Sequence, residues 1–405
     1  MENIETFHTK SKNFRVGVIS DTQLPPTKRG RRQDDRFVRH LHMALQTFQN
    51  IGVDMILFAG DIGDGGTKYA FRTYKEVLDA VYGDEKPIVQ TIMGNHDHWN
   101  PNLFHYTHNH RKAFEQIVGI SARTHYVVNG FHFIGASPDS GSMTVGYTKT
   151  VDWIDAQLKL AEADSVGKPI FLLTHQQPVD TCYGSDDWGE KNLGRVLEKY
   201  PNVINISGHS HYSILDERSV WQGTYTVLNT QSLSYIELET GKENGTIPPN
   251  ADKTPMGYCI DFQDDGFTFR RITFDGSPYG REEKADKCWR FPLPYVNDGR
   301  FSFERRKQAN RAPTMPKDTG TAVREGDNVI LTFPAGEDDD FVHAYKVVTA
   351  GEKPLYFFSD FYNGLDSMQK TVSLKVKAPK HGCVYKIYAV DSWGAESETC
   401  TETQI

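Results

Sequence analysis

At 405 residues the chain is too long for one ordinary hydrophobic core, so two domains are expected. Its 45 basic and 53 acidic residues leave a net charge of −8, which argues against the basic face that general nucleic-acid binding requires. Five cysteines form no CxxC pair, Met1 to Phe14 is polar, and no apolar run reaches the ~18 residues of a membrane span. A reduced, cytoplasmic setting is therefore expected, with no signal peptide and no membrane contact.

Phe14 to Ser20 reads as a β-strand that ends at Asp21-Thr22-Gln23. A polar loop holding Lys28, Arg29, Arg31 and Arg32 follows, and Asp34 to Ile51 shows helical spacing, with Phe37, Leu41, Ala44, Leu45 and Phe48 on one face. Asp54 to Ala59 is the apolar run of a buried strand and breaks into Gly60-Asp61-Ile62-Gly63-Asp64. After a helical stretch near Lys68 to Tyr82, Pro87 to Met93 is a second such run and breaks into Gly94-Asn95-His96-Asp97-His98-Trp99. Right-handed crossovers place these three strands in one sheet with their carboxyl ends on one edge, so Asp21, Asp61 and Asn95 converge. Ligands in α/β folds are bound at such edges.

Asn102 to Val118 is expected to be helical, and Thr124–Val128 with Phe131–Ala136 around Asn129-Gly130 carries a hairpin signal. Val151 to Ala163 is amphipathic. Pro169 to Thr174 is a buried strand ending at His175, and Asn202 to Ile206 is another, ending at Ser207-Gly208-His209-Ser210-His211. A helix is expected around Asn192 to Tyr200. Alternating segments near 224–228, 234–238, 257–262 and 267–274 suggest a second, antiparallel sheet. Helices outside two packed sheets make the first domain, residues 1–283, a layered α/β-β/α sandwich. Residues 284–316 are irregular and read as tail and linker. Residues 317–405 change to short alternating runs separated by turns, the pattern of a small all-β sandwich. The Ala-Pro opening and Tyr385-Lys-Ile-Tyr-Ala-Val-Asp-Ser-Trp-Gly resemble a fibronectin type III module.

Five strand-end clusters meet at one edge: Asp21-x-Gln23, Gly60-Asp61-x-x-Asp64, Gly94-Asn95-His96-Asp97, His175 and Gly208-His209-x-His211. In this order they resemble the calcineurin-like metallophosphoesterase superfamily over residues 14–275. The resemblance implies hydrolysis of a phosphomonoester or phosphodiester at two divalent ions (Mn, Fe or Zn), through a metal-bound hydroxide. Two such ions about 3.5–4 Å apart polarise a phosphoryl group and generate hydroxide at neutral pH. By the same resemblance Asp61 bridges the ions, Asp21 and His211 hold the first, and Asn95, His175 and His209 hold the second. His96 contacts the phosphate together with Asn95 and protonates the leaving oxygen, and Asp64 orients its ring. Gln23 stands where the family usually has a histidine ligand; an amide oxygen is a weaker, harder donor that suits Mn or Mg.

Arg29 and the other basic residues of its loop could meet substrate phosphates, or form an ordinary solvated loop. His98, Trp99, Tyr183 and Trp188 could stack on a base or sugar, and core packing or a lid explains them equally. Glu337 to Asp340 reads as a solvated turn, with calcium binding as the sharper alternative. His105, His108 and His110 have no coherent ligand spacing and are expected at the surface. Two rival functions stand beside the enzyme: a domain that binds a phosphorylated ligand without turnover, supported by Gln23, and a nuclease, supported by the Lys28–Arg32 loop. Partners are expected to be a small phosphorylated substrate and, through the C-terminal domain, another protein.

Overall fold

A computed structural model describes residues 4–28, 36–99, 110–317, 319–379 and 382–405. The chain divides into two compact units, one of residues 1–214, 218–236 and 254–303, the other of 215–217, 237–253 and 304–405.

In the first unit, chain order runs β1 (Glu5–Phe7), β2 (Arg15–Ile19), α1 (Arg36–Ile51), β3 (Met55–Phe58), α2 (Lys68–Tyr82), β4 (Ile88–Thr91), α3 (His110–Val118), β5 (Arg123–Val128), β6 (Phe131–Ala136), α4 (Thr150–Glu162), β7 (Ile170–Thr174), β8 (Val203–Ser207), β9 (Val220–Gln222), β10 (Thr226–Asn229), β11 (Met256–Gln263), β12 (Gly266–Thr273), β13 (Arg281–Glu282) and β14 (Trp289–Pro292). One sheet has the order β13-β12-β11-β2-β3-β4, with β14 also on β12; the other is β1-β5-β6-β7-β8-β10-β9. Both are seven-stranded.

The helices form for the reason their spacing suggested. α1 buries Leu41, Ala44, Leu45 and Phe48 on one face, and α2 begins where the Thr67 hydroxyl accepts the Ala70 N–H at 3.1 Å, a side-chain N-cap. Between the sheets the contact is phenylalanine. Phe133 and Phe171, in register on β6 and β7, stack at 4.9 Å, and Phe171 meets Phe262 of β11 and Phe267 of β12 edge-on at 5.7 and 5.6 Å. Edge-to-face rings are a favourable aromatic arrangement and bury large apolar area.

Several expectations need correction. Thr226–Asn229 runs parallel to β8 instead of joining an antiparallel sheet. Residues 234–238 form no strand. β11 and β12 are an antiparallel pair, but β11 pairs with β2 and so extends the first sheet. Alternation shows that a strand has two unlike faces; it carries no information on which neighbour completes its ladder. His110, expected at the surface, is buried, with Nδ1 2.7 Å from the Gly66 carbonyl. The surface reading rested on the lack of a ligand spacing, which carries no information on a backbone carbonyl 44 residues away. Within 284–316, β14 pairs with β12 and a short helix forms over Phe303–Ala309.

The second unit is all-β in its regular sheets: β15 (Thr321–Glu325), β16 (Asn328–Pro334) and β19 (Thr371–Lys377) form one, and β17 (Ala344–Thr349), β18 (Leu355–Phe358), β20 (Val384–Val390) and β21 (Thr401–Gln404) the other. All pairs are antiparallel. Alternate residues, Val329, Leu331 and Phe333 against Tyr385, Ile387 and Ala389, fill its core. Residues 237–253 belong to this unit because Asn244 covers the edge of β18: its Nδ2 donates to the Phe358 carbonyl and its Oδ1 accepts the Phe358 N–H at 2.8 Å. No helix among the described residues is long and apolar enough to cross a membrane.

Candidate metal centre

The parallel register of β2, β3 and β4 sets Ile19, Phe58 and Thr91 level. Asp21, Asp61 and Asn95 therefore emerge from neighbouring strand ends, while His175 and His209 emerge from the adjacent β7 and β8 of the other sheet. Turning each chain end inward costs backbone strain. Of nine non-glycine residues with positive φ among the described residues, five are Asp21 (53°), Gln23 (47°), Asp61 (54°), His209 (69°) and His211 (58°). Such conformations cost about 1–3 kcal/mol each and persist where the surroundings enforce them. The enforcement is close packing around two glycines. A Cβ on Gly94 would lie 2.0 Å from Asp61 Oδ1, and one on Gly208 would lie 2.2 Å from Asp21 Oδ2.

Three histidines each give one ring nitrogen to a backbone carbonyl: His175 Nδ1 to Ala59 (2.8 Å), His209 Nε2 to Met143 (3.0 Å) and His211 Nδ1 to Tyr235 (3.1 Å). A carbonyl only accepts, so that nitrogen carries a proton, and in the neutral ring the lone pair is left on His175 Nε2, His209 Nδ1 and His211 Nε2. His175 Nε2 stands 2.9 Å from Asn95 Oδ1 and 3.3 Å from Asp61 Oδ1, and His211 Nε2 stands 3.2 Å from Asp21 Oδ1. At this range the nitrogen and oxygen atoms either share a proton or bind one cation together. Donor atoms of Asp21, Asp61 and His175 all lie within 4.8 Å of one another, and the mixed carboxylate, amide and imidazole set fits a divalent ion.

Burial works against the charged His175 ring, yet the Asp61 carboxylate outweighs it and pushes His175 up to about 9. Burial likewise opposes ionisation of Asp61, and the His175 and His96 rings hold it below the ordinary carboxylate range. Burial and the neighbouring His175 push His209 well below the usual histidine value. Asp97 is pushed up to about 7 by burial and by the Asp61 charge.

His96 is partly open to solvent. Its Nδ1 lies 3.0 Å from Asp64 Oδ1, and its Nε2 lies 3.9 Å from Asp61 Oδ2. Burial disfavours its charge, but Asp61 and Asp64 together raise its pKa. The Trp99 ring packs on His96 at 4.0 Å, and Trp99 Nε1 donates to the Gly141 carbonyl. His98 Nε2 faces the Pro138 carbonyl. A cleft of about 390 Å³ opens beside His96, Asp64 and Gln23, walled by Pro25, Pro26, Arg36, Phe37 and Tyr235. His98 and Trp99 are not among its walls. Arg29, Arg31, Arg32, His105 and His108 lie outside the described residues. Tyr183 is buried against Tyr212 at 4.6 Å, and Trp188 lies 6.0 Å from the His209 ring.

Several contributors were given no role by the sequence. Asp97, within the Gly94-Asn95-His96-Asp97 cluster, accepts the backbone N–H groups of Ile62, Gly63 and Gly94 at 3.0, 3.0 and 2.9 Å, tying the two glycine turns together. Its place beside His96 in the sequence was the available hint. Met143 holds two of the expected ligands: its sulfur accepts from Asn95 Nδ2 at 3.1 Å, and its carbonyl takes the His209 ring. The Tyr147 hydroxyl accepts the His175 N–H at 2.7 Å. Gln23 Oε1 accepts from the Ser234 hydroxyl at 3.1 Å.

The family model of the calcineurin-like phosphoesterases matches residues 14–213. A 3′,5′-cyclic-nucleotide phosphodiesterase of Nostoc sp. (strain PCC 7120) is 22% identical over 176 residues, which cover 41% of this chain and 59% of that protein. The chain thus spans less than two thirds of the length of this curated relative. Among solved structures, a dimetal phosphatase from Danio rerio aligns at 15% identity and a TM-score of 0.44, covering 70% of this chain and 99% of its own. Purple acid phosphatase PPD1 from yellow lupin seeds aligns at 13% identity and a TM-score of 0.45, covering 70% of this chain and 54% of its own. The family's match over residues 14–213, just under half of the chain, spans the strands and turns that build the site.

Proposed function

We propose that this domain hydrolyses phosphoesters at two divalent ions of Mn, Fe or Zn. The observation that carries the reading is the histidine geometry: three rings are fixed by backbone carbonyls, and two of them, His175 and His211, turn the other nitrogen to Asp61 and Asp21. Asp21, Gln23 and His211 would hold one ion, Asn95, His175 and His209 the other, and Asp61 would bridge them. Ions so bound would place positive charge on the phosphoryl oxygens and make a water acidic enough to react near neutral pH.

The chain's own residues supply the rest. His96 keeps its Nδ1 proton on Asp64 Oδ1, so the ring can hold a second proton at Nε2 and give it to the departing ester oxygen. Asn95 and His96 would also bind the phosphoryl group. The adjoining cleft has ring and proline walls in Phe37, Tyr235, Pro25 and Pro26, with the Arg36 guanidinium 4.7 Å above the Phe37 ring. That lining favours a diester whose second substituent is a planar ring, in keeping with the cyclic-nucleotide phosphodiesterase of Nostoc. The second unit's seven antiparallel strands support a fibronectin type III-like module that could take a protein partner. Five free cysteines support a reducing, cytoplasmic compartment.

The test compares thymidine 5′-(p-nitrophenyl phosphate), methyl p-nitrophenyl phosphate and p-nitrophenyl phosphate with Mn, Fe or Zn supplied. Turnover of the ring-bearing diester above the methyl diester is the expected result. No turnover of any ester with any metal, from protein that binds the metal, would leave only the phospho-ligand-binding reading.

A further inference from the structure

The segment Ser232 to Tyr235 touches Asp21, Gln23 and His211, the three residues assigned above to one ion alone. Its backbone is pinned to β2 and the turn after it: Leu233 N donates to the Ser20 carbonyl and Ser234 N to the Asp21 carbonyl, both at 3.1 Å. From α1, His40 Nδ1 meets the Leu233 carbonyl at 2.7 Å. The Tyr235 carbonyl takes His211 Nδ1, as described, and its ring packs on that imidazole at 4.4 Å. The two serines between these anchors are buried and reach Gln23: Ser234 Oγ lies 3.1 Å from Gln23 Oε1, Ser232 Oγ lies 2.8 Å from Ser234 Oγ, and Ser232 Oγ donates to the Asp21 carbonyl at 3.1 Å.

A hydroxyl can donate or accept, and an amide presents both roles at its two ends. With Oε1 turned to Ser234, the Ser234 proton lies on that oxygen. With the amide reversed, Nε2–H donates to Ser234 Oγ, and the Ser234 proton moves to Ser232 Oγ, whose own proton stays on the Asp21 carbonyl. No buried polar atom of the two serines loses its partner in either arrangement. The second arrangement releases Gln23 Oε1 from Ser234. Two small hydroxyls thus suit a glutamine at this position, where a residue unable to accept a hydrogen bond would hold the amide only one way.

We propose that Ser234, backed by Ser232, is a positioning residue that orients the Gln23 amide so that its oxygen serves the ion held by Asp21 and His211. The proposal rests on the metal-site reading given above. Its test is Mn²⁺ titration followed by the electron paramagnetic resonance of free Mn²⁺, on the full chain and on a double-mutant cycle. Ser234→Ala should weaken the looser Mn²⁺ site by about 10-fold, the lower end of what partners of ligands contribute. Ser234→Thr, which keeps a hydroxyl, should restore most of it. In a Gln23→Ala background, Ser234→Ala should change the affinity by less than ~2-fold, because the amide through which it acts is gone. Equal weakening in both backgrounds would assign Ser234 to the fold instead of to Gln23 and overturn the proposal. No weakening in the parent background, with two Mn²⁺ still bound, would overturn it while leaving the metal site standing. A parent chain that binds no Mn²⁺ would overturn both.

Discussion

Asp64 accepts the Nδ1 proton of His96 at 3.0 Å while 62% of its own side chain remains exposed to solvent. An ion pair that open contributes little to stability. Its consequence lies in the ring: with Nδ1 committed to the carboxylate, Nε2 is the atom left to exchange a proton in the cleft. His96→Ala should cut turnover by about 100-fold or more, the usual contribution of a general acid. Asp64→Ala should cut it less and move the alkaline limb of the pH–rate profile to lower pH, since the raised His96 pKa depends in part on that carboxylate. Metal content measured alongside should barely change in either variant. Loss of metal from His96→Ala would show that the ring is a ligand.

Gly94 is a tight point of the site. A methyl group there would sit 2.0 Å from Asp61 Oδ1 and 2.4 Å from Asp61 N, and backbone cannot yield that much without moving the β4 turn. Gly94→Ala should therefore lose metal as well as activity, and lower the melting temperature by several degrees. Gly52→Ala is the comparison. Its φ of 76° is also unfavourable to alanine, but no atom lies within 4 Å of the new methyl. It should cost some stability and leave metal binding intact, as metal analysis of the two purified variants would show.

Asp97 makes a different kind of contribution. Its carboxylate takes three buried backbone N–H groups from two loops, and its removal leaves those donors without partners. Each unpaired buried donor costs about 1–3 kcal/mol. Asp97→Ala should thus destabilise the first unit by several kcal/mol in urea denaturation. Asp97→Asn keeps one acceptor oxygen and should fall between that variant and the parent. A loss below ~1 kcal/mol for the alanine variant would mean that water replaces the carboxylate.

The strand-end donors were legible in the sequence because an apolar run breaks just before each cluster, with glycine at the break ahead of Asp61, Asn95 and His209. Asp21, Asp61, Asn95, His175, His209 and His211 could be placed at one edge from that pattern alone. Their partners were not legible. Met143 acts through a sulfur and a carbonyl, and Ser232 to Tyr235 acts through hydroxyls and backbone, so neither leaves a residue-type signature near the motifs. The latter stretch even read as part of a strand, since its alternation of polar and apolar residues reflects serines turned to the site. β1 escaped notice because three residues, Glu5 to Phe7, complete a parallel ladder on β5 without any apolar run. The capture of 237–253 by the second unit depends on Asn244 meeting a strand more than a hundred residues away, which no local pattern encodes.

Glu217 links the second unit to pH. It lies in the short 215–217 segment of that unit, beside Trp393 Nε1 and 3.9 Å from Arg306, and burial with the charge of Asp340 pushes it up to about 7 despite the arginine. In the unfolded chain the same carboxyl titrates near 4.5. Between those two values the folded state holds a proton that the unfolded state has released. Stability from this group is thus complete below about 4.5 and declines as the pH rises through 7. Asp338 of the same unit, raised to about 6, acts in the same direction. Thermal unfolding of the full chain, followed by tryptophan emission, should show the transition that reports Trp393 at a higher temperature at pH 5.5 than at pH 8. Glu217→Gln removes the titration but keeps an acceptor for the indole N–H, so it should narrow that difference and raise the pH 8 value. An unchanged pH dependence in Glu217→Gln would place the carboxyl in contact with water and its charge outside the stability of the unit.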